Sequence, residues 1–508
     1  MVEAVLSSLC TLQVLEGLLV GVIGGIIIGA LPGLGSTMGI ALLIPLTYSM
    51  DATAALVMLT ALYTAAVFGG SFTAIMLHTP GTAASAATAM DGYELAKRGE
   101  GLRAMGVSTV SSVIGGAISG FALLLIAPPL ARLSLRFSAP EYFLLAVFGL
   151  TIIGSLAADN LFKGLISGVL GLAVALIGYD VQFGLPRYTY NITALESGIT
   201  AVCALIGLFS MSQVLIQAEK IGIDEIKKMT ELKGRFLPTA KEFMHLLPFI
   251  IRASIVGIII GILPGAGGDI GGWMGYNEAK RFAKNKEEFG HGAIEGISGS
   301  ESGNNAVTGG ALIPLMTLGI PGSSAAAALL GGLMIHGMQP GYDLFSEKAG
   351  TTYAIIIGFI IANFFMGVVG ALFAKQVAKV AGVKYSLLAP FIIVLSVVGS
   401  FAINMSFVDV CVMVVFGFIG YLMRKFGFPT APLVLAIILG PMAEDGLLRS
   451  FSMANGKPLL LYFFERPACI ILLLMILSSV FAPVFMAKLN RKARGKHADN
   501  KINLEDDD

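Results

Sequence analysis

The chain has 508 residues, of which 56% are hydrophobic and only 13% charged, with a formal net charge of +1. Apolar runs recur from end to end, outside the range of soluble domains, and the cations are gathered into a few short loops and the tail; this excludes a water-soluble globular protein and a nucleic-acid-binding surface. Cys10, Cys203, Cys411 and Cys469 lie in or beside apolar runs without metal-ligand spacing, so they read as packing residues and not as a disulfide framework.

In chain order, the first apolar run covers residues 12–31 and ends in "LPGLG". It follows an N-terminus with neither a basic n-region nor a small-residue cleavage site, so it is expected to be retained as structure. The segment 52–90 is interrupted around Gly69-Gly70 and at Pro80-Gly81, and a basic loop with Lys97, Arg98 and Arg103 follows. Stretches long enough for a hydrocarbon core about 30 Å thick then cover 105–130, 142–158, 163–178 and 199–217. Between the last two lies a polar, aromatic loop, 179–198, with a single Arg. A basic stretch from Lys220 to Lys241 leads into 246–263, which ends in "LPGAGG", and a second basic loop carries Lys280, Arg281, Lys284 and Lys286. The segment 294–336 is interrupted around Gly309-Gly310 and Pro321-Gly322, and the loop 337–350 sets Asp343 and Glu347 against Lys348. Further spans are predicted at 352–377, 387–403, 408–423 and 468–486, before a basic tail from Lys488 to Lys501.

Short loops rich in Lys and Arg stay cytoplasmic. This places the Lys97 loop, the Lys220–Lys241 stretch, the Lys284 loop and the tail inside, and the loops 179–198 and 337–350 outside. Arg132 and Arg136 run against the scheme. "GALPGLG" at 29–35 matches "GILPGAG" at 261–267, and "GGSFTAIMLHTPGTAASAA" at 69–87 resembles "GGALIPLMTLGIPGSSAAAA" at 309–328, offsets of about 240 residues. Loops that follow matching motifs fall on opposite faces, which implies an inverted repeat. The expected fold is an all-α polytopic membrane protein of two inverted-topology repeats with re-entrant hairpins and broken helices. Residues 1–217 form the first repeat, with a re-entrant hairpin at 12–48 and a broken segment at 52–90. A cytoplasmic basic linker covers 218–245, and the second repeat 246–423 has its hairpin at 246–276 and its broken segment at 294–336. C-terminal membrane segments cover 424–487 and a cytoplasmic tail 488–508.

Irregular backbone at membrane depth is tolerated only where it is buried in protein or lines a watery cavity. Helix ends at such breaks expose backbone N–H groups that suit a carboxylate, glycine lets a ligand approach the backbone, and free carbonyls at the opposite ends suit Na+. Candidate substrate contacts are therefore Pro32, Gly33, Gly35, Ser36, Thr37, Pro80, Gly81 and Thr82 in the first repeat. Their counterparts are Pro264, Gly265, Gly267, Gly268, Pro321, Gly322, Ser323 and Ser324. The competing reading is a set of kinks, with the small-residue runs serving close helix packing.

Glu301, Asn304 and Asn305 lie in small and apolar sequence, where an ionisable or amide group marks function by default. With Asp269 on the returning arm of the second hairpin, they are candidates for a coupling ion, Na+ or H+. Alternatively Glu301 caps a helix or pairs with Arg252. Asp159, Asn160 and Asp409 read as loop-edge residues and His78 as a hydrogen-bonded core histidine. No cofactor is expected, and no metal beyond Na+. His245 with Glu242, or His291 with Glu295, raises the idea of a metal enzyme, but the sequence has no H-E-x-x-H pattern and is not expected to be an enzyme.

"GALPGLGSTMGIALLIPLTYSM", "GGSFTAIMLHTPG", "DGYELAKRG" and "SGSESGNNAVTGGALIPLMTLGIPG" together resemble the TctA family, the large membrane subunit of tripartite tricarboxylate transporters, from about residue 12 to the late 400s. The resemblance implies a three-component secondary transporter: this subunit, a small membrane subunit similar to TctB, and a periplasmic solute-binding protein similar to TctC that delivers the organic acid. It also implies a multi-pass protein of the bacterial inner membrane, with uptake driven by an ion gradient; the chain carries no G-x-x-x-x-G-K-[ST] loop for ATP. The family motif close to "APESANNA" reads "GSESGNNA" here, keeping the Glu-Ser and Asn-Asn pairs while changing neighbours that bear on substrate preference. An anion channel and an organic-acid exporter that needs no binding protein are the alternatives.

Overall fold

The computed structural model describes residues 2–31, 34–135, 137–151, 161–180, 184–219, 235–263, 267–380 and 385–478. The first half comprises α1 (Val2–Leu9), α2 (Leu12–Ala30), α3 (Gly35–Thr47), α4 (Ala52–Leu77), α5 (Ala86–Lys97), α6 (Gly101–Ser134), α7 (Ala139–Thr151), α8 (Leu161–Ala175) and α9 (Ala201–Ala218). The second comprises α10 (Ala240–Ile262), α11 (Gly267–Phe282), α12 (Ile294–Leu318), α13 (Ser324–Ile335), α14 (Tyr342–Phe345) and α15 (Ala349–Val380). It continues with α16 (Tyr385–Asn404), α17 (Phe407–Lys425), α18 (Ala431–Ala454), α19 (Leu459–Phe464) and α20 (Pro467–Ser478). Among the described residues, nine helices are long and apolar enough to cross a membrane: α2, α4, α6, α9, α10, α15, α16, α17 and α18. The chain is an all-α, multi-pass membrane protein.

Local signals set the helix ends. Thr11 caps α2 by accepting from the Val14 N–H, Asp51 caps α4 by accepting from Thr53, and Thr239 with Glu242 forms a reciprocal capping box on α10. Two sequence expectations change. Gly69-Gly70 and Gly309-Gly310 do not interrupt their helices; α4 and α12 run through them, and the breaks come at 78–82 and 319–323. These glycines serve close approach, since a Cβ on Gly69 would lie 2.5 Å from the Ile26 carbonyl and one on Gly310 2.7 Å from that of Ile258. The 24-residue α18 is a candidate span within 424–487 that hydropathy alone does not separate, because Pro441, Glu444, Asp445 and Arg449 dilute its second half.

Two central helices organise the rest. α4 packs against α2 and α15, and α12 packs against α10, α11 and α6, so each central helix meets its own half's leading helix and the other half's long helix. On α2, a Cβ at Gly17, Gly21, Gly25 or Gly29 would collide with the carbonyl of Ala54, Met58, Leu62 or Ala66 in turn, which is one backbone contact per turn along α4. On α10, Gly257 and Gly261 do the same against Gly303 and Val307 of α12. Around this core, α18 covers α7 and α8, while α9 packs on α17.

Candidate functional site

After α4 the chain turns at His78, passes Pro80, and folds back so that the Gly81 N–H donates to the Gly70 carbonyl at 3.3 Å. A short helical turn, Ala83–Ser85, then leads into α5. A Cβ on Gly81 would overlap the Gly29 carbonyl. After α12 the chain turns at Gly319, and a Cβ on Gly322 would stand 2.5 Å from the Gly261 carbonyl. Gly29 and Gly261 are the first residues of the matching "GALPGLG" and "GILPGAG". In both halves, therefore, the Pro-Gly break rests on the carbonyl that ends the leading helix, leaving no room for a side chain.

The returning helices α3 and α11 both start on a glycine with left-handed backbone, Gly35 at φ 67° and Gly267 at φ 62°. The Gly267 N–H donates to the Gly322 carbonyl at 3.2 Å, joining the second hairpin to the second break. Pro321, Gly322 and Ser323 are buried at this junction and Ser324 is half-buried; Gly81 and Thr82 are buried at the first break and Pro80 is half-buried. Ser36 and Thr37 sit half-buried in the first turn of α3. Gly268 and Asp269 occupy the first turn of α11, where only the backbone is described. Pro32, Gly33, Pro264 and Gly265 lie outside the described residues. The Ser323 hydroxyl accepts from the Ala326 N–H at 3.1 Å, capping α13, and lies 3.1 Å from the Tyr63 hydroxyl of α4.

The second constellation is on α12, where Glu301, Asn304 and Asn305 are fully buried. The Ser112 hydroxyl of α6 donates to Glu301 Oε2 at 2.9 Å, and the Thr88 hydroxyl of α5 donates to Oε1. Thr88 and Ser300 share a further hydroxyl contact at 2.9 Å. Glu301 is thus neither a helix cap nor the partner of Arg252, whose guanidinium lies over the Phe282 ring at 4.3 Å. Asn305 Nδ2 donates to the Glu301 carbonyl, while Asn305 Oδ1, both amide atoms of Asn304 and the hydroxyls of Ser111 and Ser298 have no hydrogen-bond partner. Buried groups left this way are costly unless a ligand or water completes them. Among the described residues no Lys or Arg is buried, so an anion at the Pro-Gly breaks would be held by hydroxyls, amides and backbone N–H groups.

Sequence reasoning missed Thr88, Ser112 and Tyr63, because a hydroxyl in a small-residue run carries no signal apart from its distant partner. It also missed Asp91. This fully buried carboxylate on α5 accepts the backbone N–H groups of Gly290 at 2.7 Å, Gly292 at 2.8 Å and Ala293 at 3.0 Å, tying α5 to the start of α12. His78 is exposed, not a core histidine; it ends α4 at φ 51°, its ring 4.6 Å from that of Tyr93. His245 pairs with Glu295 at 2.7 Å, and Glu242 is taken by Arg103 and Thr239. Asp409 accepts from Thr200 at 2.7 Å and Asn404 at 2.8 Å in the first turn of α17, a structural role; Asp159 and Asn160 lie outside the described residues.

No solved structure matches the chain. It is 34% identical over 466 residues, 91% of each chain, to the "Uncharacterized 52.8 kDa protein in TAR-I ttuC' 3'region" of Agrobacterium vitis. It is also 34% identical over 200 residues, 39% of this chain and 83% of the other, to the "Uncharacterized protein in TAR-II ttuC' 3'region" of the same organism. The family model described as "Tripartite tricarboxylate transporter TctA family" matches residues 15–435, and with that coverage the chain belongs to the TctA family of tripartite tricarboxylate transporters.

Proposed function

We propose that this chain imports an organic-acid anion, a tricarboxylate or a related carboxylate, across the bacterial inner membrane, driven by a Na+ or H+ gradient. In this reading a periplasmic binding protein delivers the anion and a small membrane subunit completes the assembly. The two halves are inverted repeats, the hairpins α2–α3 and α10–α11 enter from opposite faces, and the C-terminus is cytoplasmic. The anion sits where Gly81-Thr82 and Gly322-Ser323 break the backbone, and the coupling ion occupies the unsatisfied polar atoms around Glu301, Asn304 and Asn305.

The single observation that carries this reading is the Thr88–Glu301 bond. Thr88 stands six residues beyond Thr82, on the helix that the first break starts. A carboxylate that pulls on the break moves α5, and α5 carries one of the two hydroxyls that hold the buried carboxylate. Binding of anion and ion then favour one shared position of α5, the reciprocal coupling that symport requires.

The test is tracer citrate uptake into vesicles reconstituted with the whole transporter, under an imposed Na+ or pH gradient. Parental protein should concentrate citrate only with a gradient and binding protein, and preloaded vesicles should show counterflow. Thr88→Val, which keeps the shape but not the hydroxyl, should retain downhill exchange and lose gradient-driven accumulation. Uptake indifferent to both gradients and without counterflow would mean a channel; transport independent of the binding protein would mean the exporter alternative.

A further inference from the structure

Ser212, Ser254, Ser302 and Ser450 each return their hydroxyl to the carbonyl four residues earlier, the usual way a helix satisfies a buried serine. Ser210 of α9 and Ser396 and Ser400 of α16 do not: all three are fully buried, and their hydroxyls have no hydrogen-bond partner. The two helices run antiparallel, since Asn404 donates to the Thr200 hydroxyl at 3.2 Å, the Cys203 thiol lies 3.9 Å from the Ser400 carbonyl, and Val214 packs in one cluster with Ile392. That register sets Ser210 opposite Ser396, with Ser400 one turn away on the same face of α16. A π-helical turn, Gly207–Met211, lies at this level of α9, and the Leu208 carbonyl beside it is taken by the Ser212 hydroxyl at 2.5 Å. Three hydroxyl oxygens therefore face one seam with nothing on either helix to complete them.

The two ends of the seam differ. Beside Thr200 and Asn404 stands the Asp409 carboxylate, held by these two neutral donors at 2.7 and 2.8 Å, so the end next to the loop 179–198 carries a negative field that attracts a cation. The other end is apolar, where Val214 and Ile392 meet Leu31, Leu34 and Met38 of the first hairpin. A Cβ on Gly399, between the two serines, would lie 2.3 Å from Pro45, so α3 covers the seam and its position bears on what the seam holds. A neutral hydroxyl is too weak a base to keep a proton, and hard oxygens without fixed charge suit a monovalent metal ion. We propose that Ser210, Ser396 and Ser400 form a Na+ site, with water completing the shell, that serves as a second coupling site distinct from the one around Glu301. The membrane potential opposes every uncompensated charge of an entering polyanion, so one cation does not suffice to accumulate a tricarboxylate. This rests on the reading of the chain as an ion-driven importer.

The test is equilibrium binding of radioactive Na+ to the purified complete transporter, which needs no knowledge of the cargo. The double variant Ser396→Ala/Ser400→Ala should bind one Na+ fewer per chain than the parent, and Ser210→Ala, on the other helix, should lose the same one. Ser212→Ala, whose hydroxyl is spent on its own backbone, should keep the parental count. Removal of unpartnered hydroxyls should leave the thermal midpoint in Na+-free buffer unchanged or higher, while the upward shift that Na+ produces in the parent should shrink, which separates a lost ion from a damaged fold. An unchanged Na+ count in the double variant and in Ser210→Ala would overturn this inference. If Asn304→Ala also removes no Na+, the metal-ion reading of the Glu301 site falls separately. A parent that binds no Na+ would overturn the seam site and leave H+ at Glu301 as the coupling ion.

Discussion

Glu301 stands without a cation among hydroxyl donors, and one residue turn beyond it Asn304 keeps both amide atoms unpartnered. Evolutionary cost and function pull in opposite directions at such a residue, which gives a sharp test. Asn304→Ala removes two buried unsatisfied polar atoms, so its thermal midpoint in detergent should hold or rise while the ion dependence of uptake weakens. Asn305→Ala should weaken the ion dependence as well. A structural Asn304 would show the reverse, lower stability with unchanged ion dependence. Glu301 was legible in the sequence because a carboxylate in a small and apolar run is expensive wherever it lands. Thr88 was not, because its meaning lies wholly in a partner 213 residues away.

At the scale of elements, the glycines of α2 divide by face. A Cβ on Gly25 would lie 2.7 Å from the Leu62 carbonyl, whereas one on Gly24 would meet only the Leu43 side chain at 3.9 Å. Gly25→Val should therefore lower stability by about 1–3 kcal/mol through overpacking, and Gly24→Val should be mild, as read by thermal unfolding of the purified subunit. Asp91→Ala should cost roughly 3 kcal/mol by stranding three backbone donors, two of them buried; the glycines that turn them inward, Gly290 at φ 89° and Gly292 at φ 103°, belong to the same device. Most helices could be placed from hydropathy because lipid demands long apolar runs. The paired glycines could not be read that way: Gly69 and Gly309 look like breaks in a one-dimensional scan and are contact points in three dimensions.

For the whole molecule, the charge pattern of the loops makes a prediction about sidedness. Tyr190→Cys, in the exposed loop that Arg187 anchors to Asp180 at 3.0 Å and to Glu444 at 2.5 Å, should react with an impermeant thiol reagent from the periplasm in a background without native cysteines; Lys284→Cys should not. Labelling of both from one side would remove the inverted-repeat reading. The sequence offered the repeat through two motif pairs, yet gave no hint that each central helix would pack on the long helix of the other half, α4 on α15 and α12 on α6. Such pairing joins residues some 200 to 300 positions apart, and only the folded chain displays it.

The central helix α12 is buried along nearly its whole length, yet it is not among the helices apolar enough to cross a membrane unaided. A segment bearing Glu301, Asn304 and Asn305 is poorly suited to partition into lipid as it leaves the ribosome. By then α5 and α6, with Thr88 and Ser112, have already been made. Chain order thus supplies the hydroxyls before the carboxylate that needs them, so α12 can enter by docking onto α5 and α6 instead of crossing into the bilayer alone.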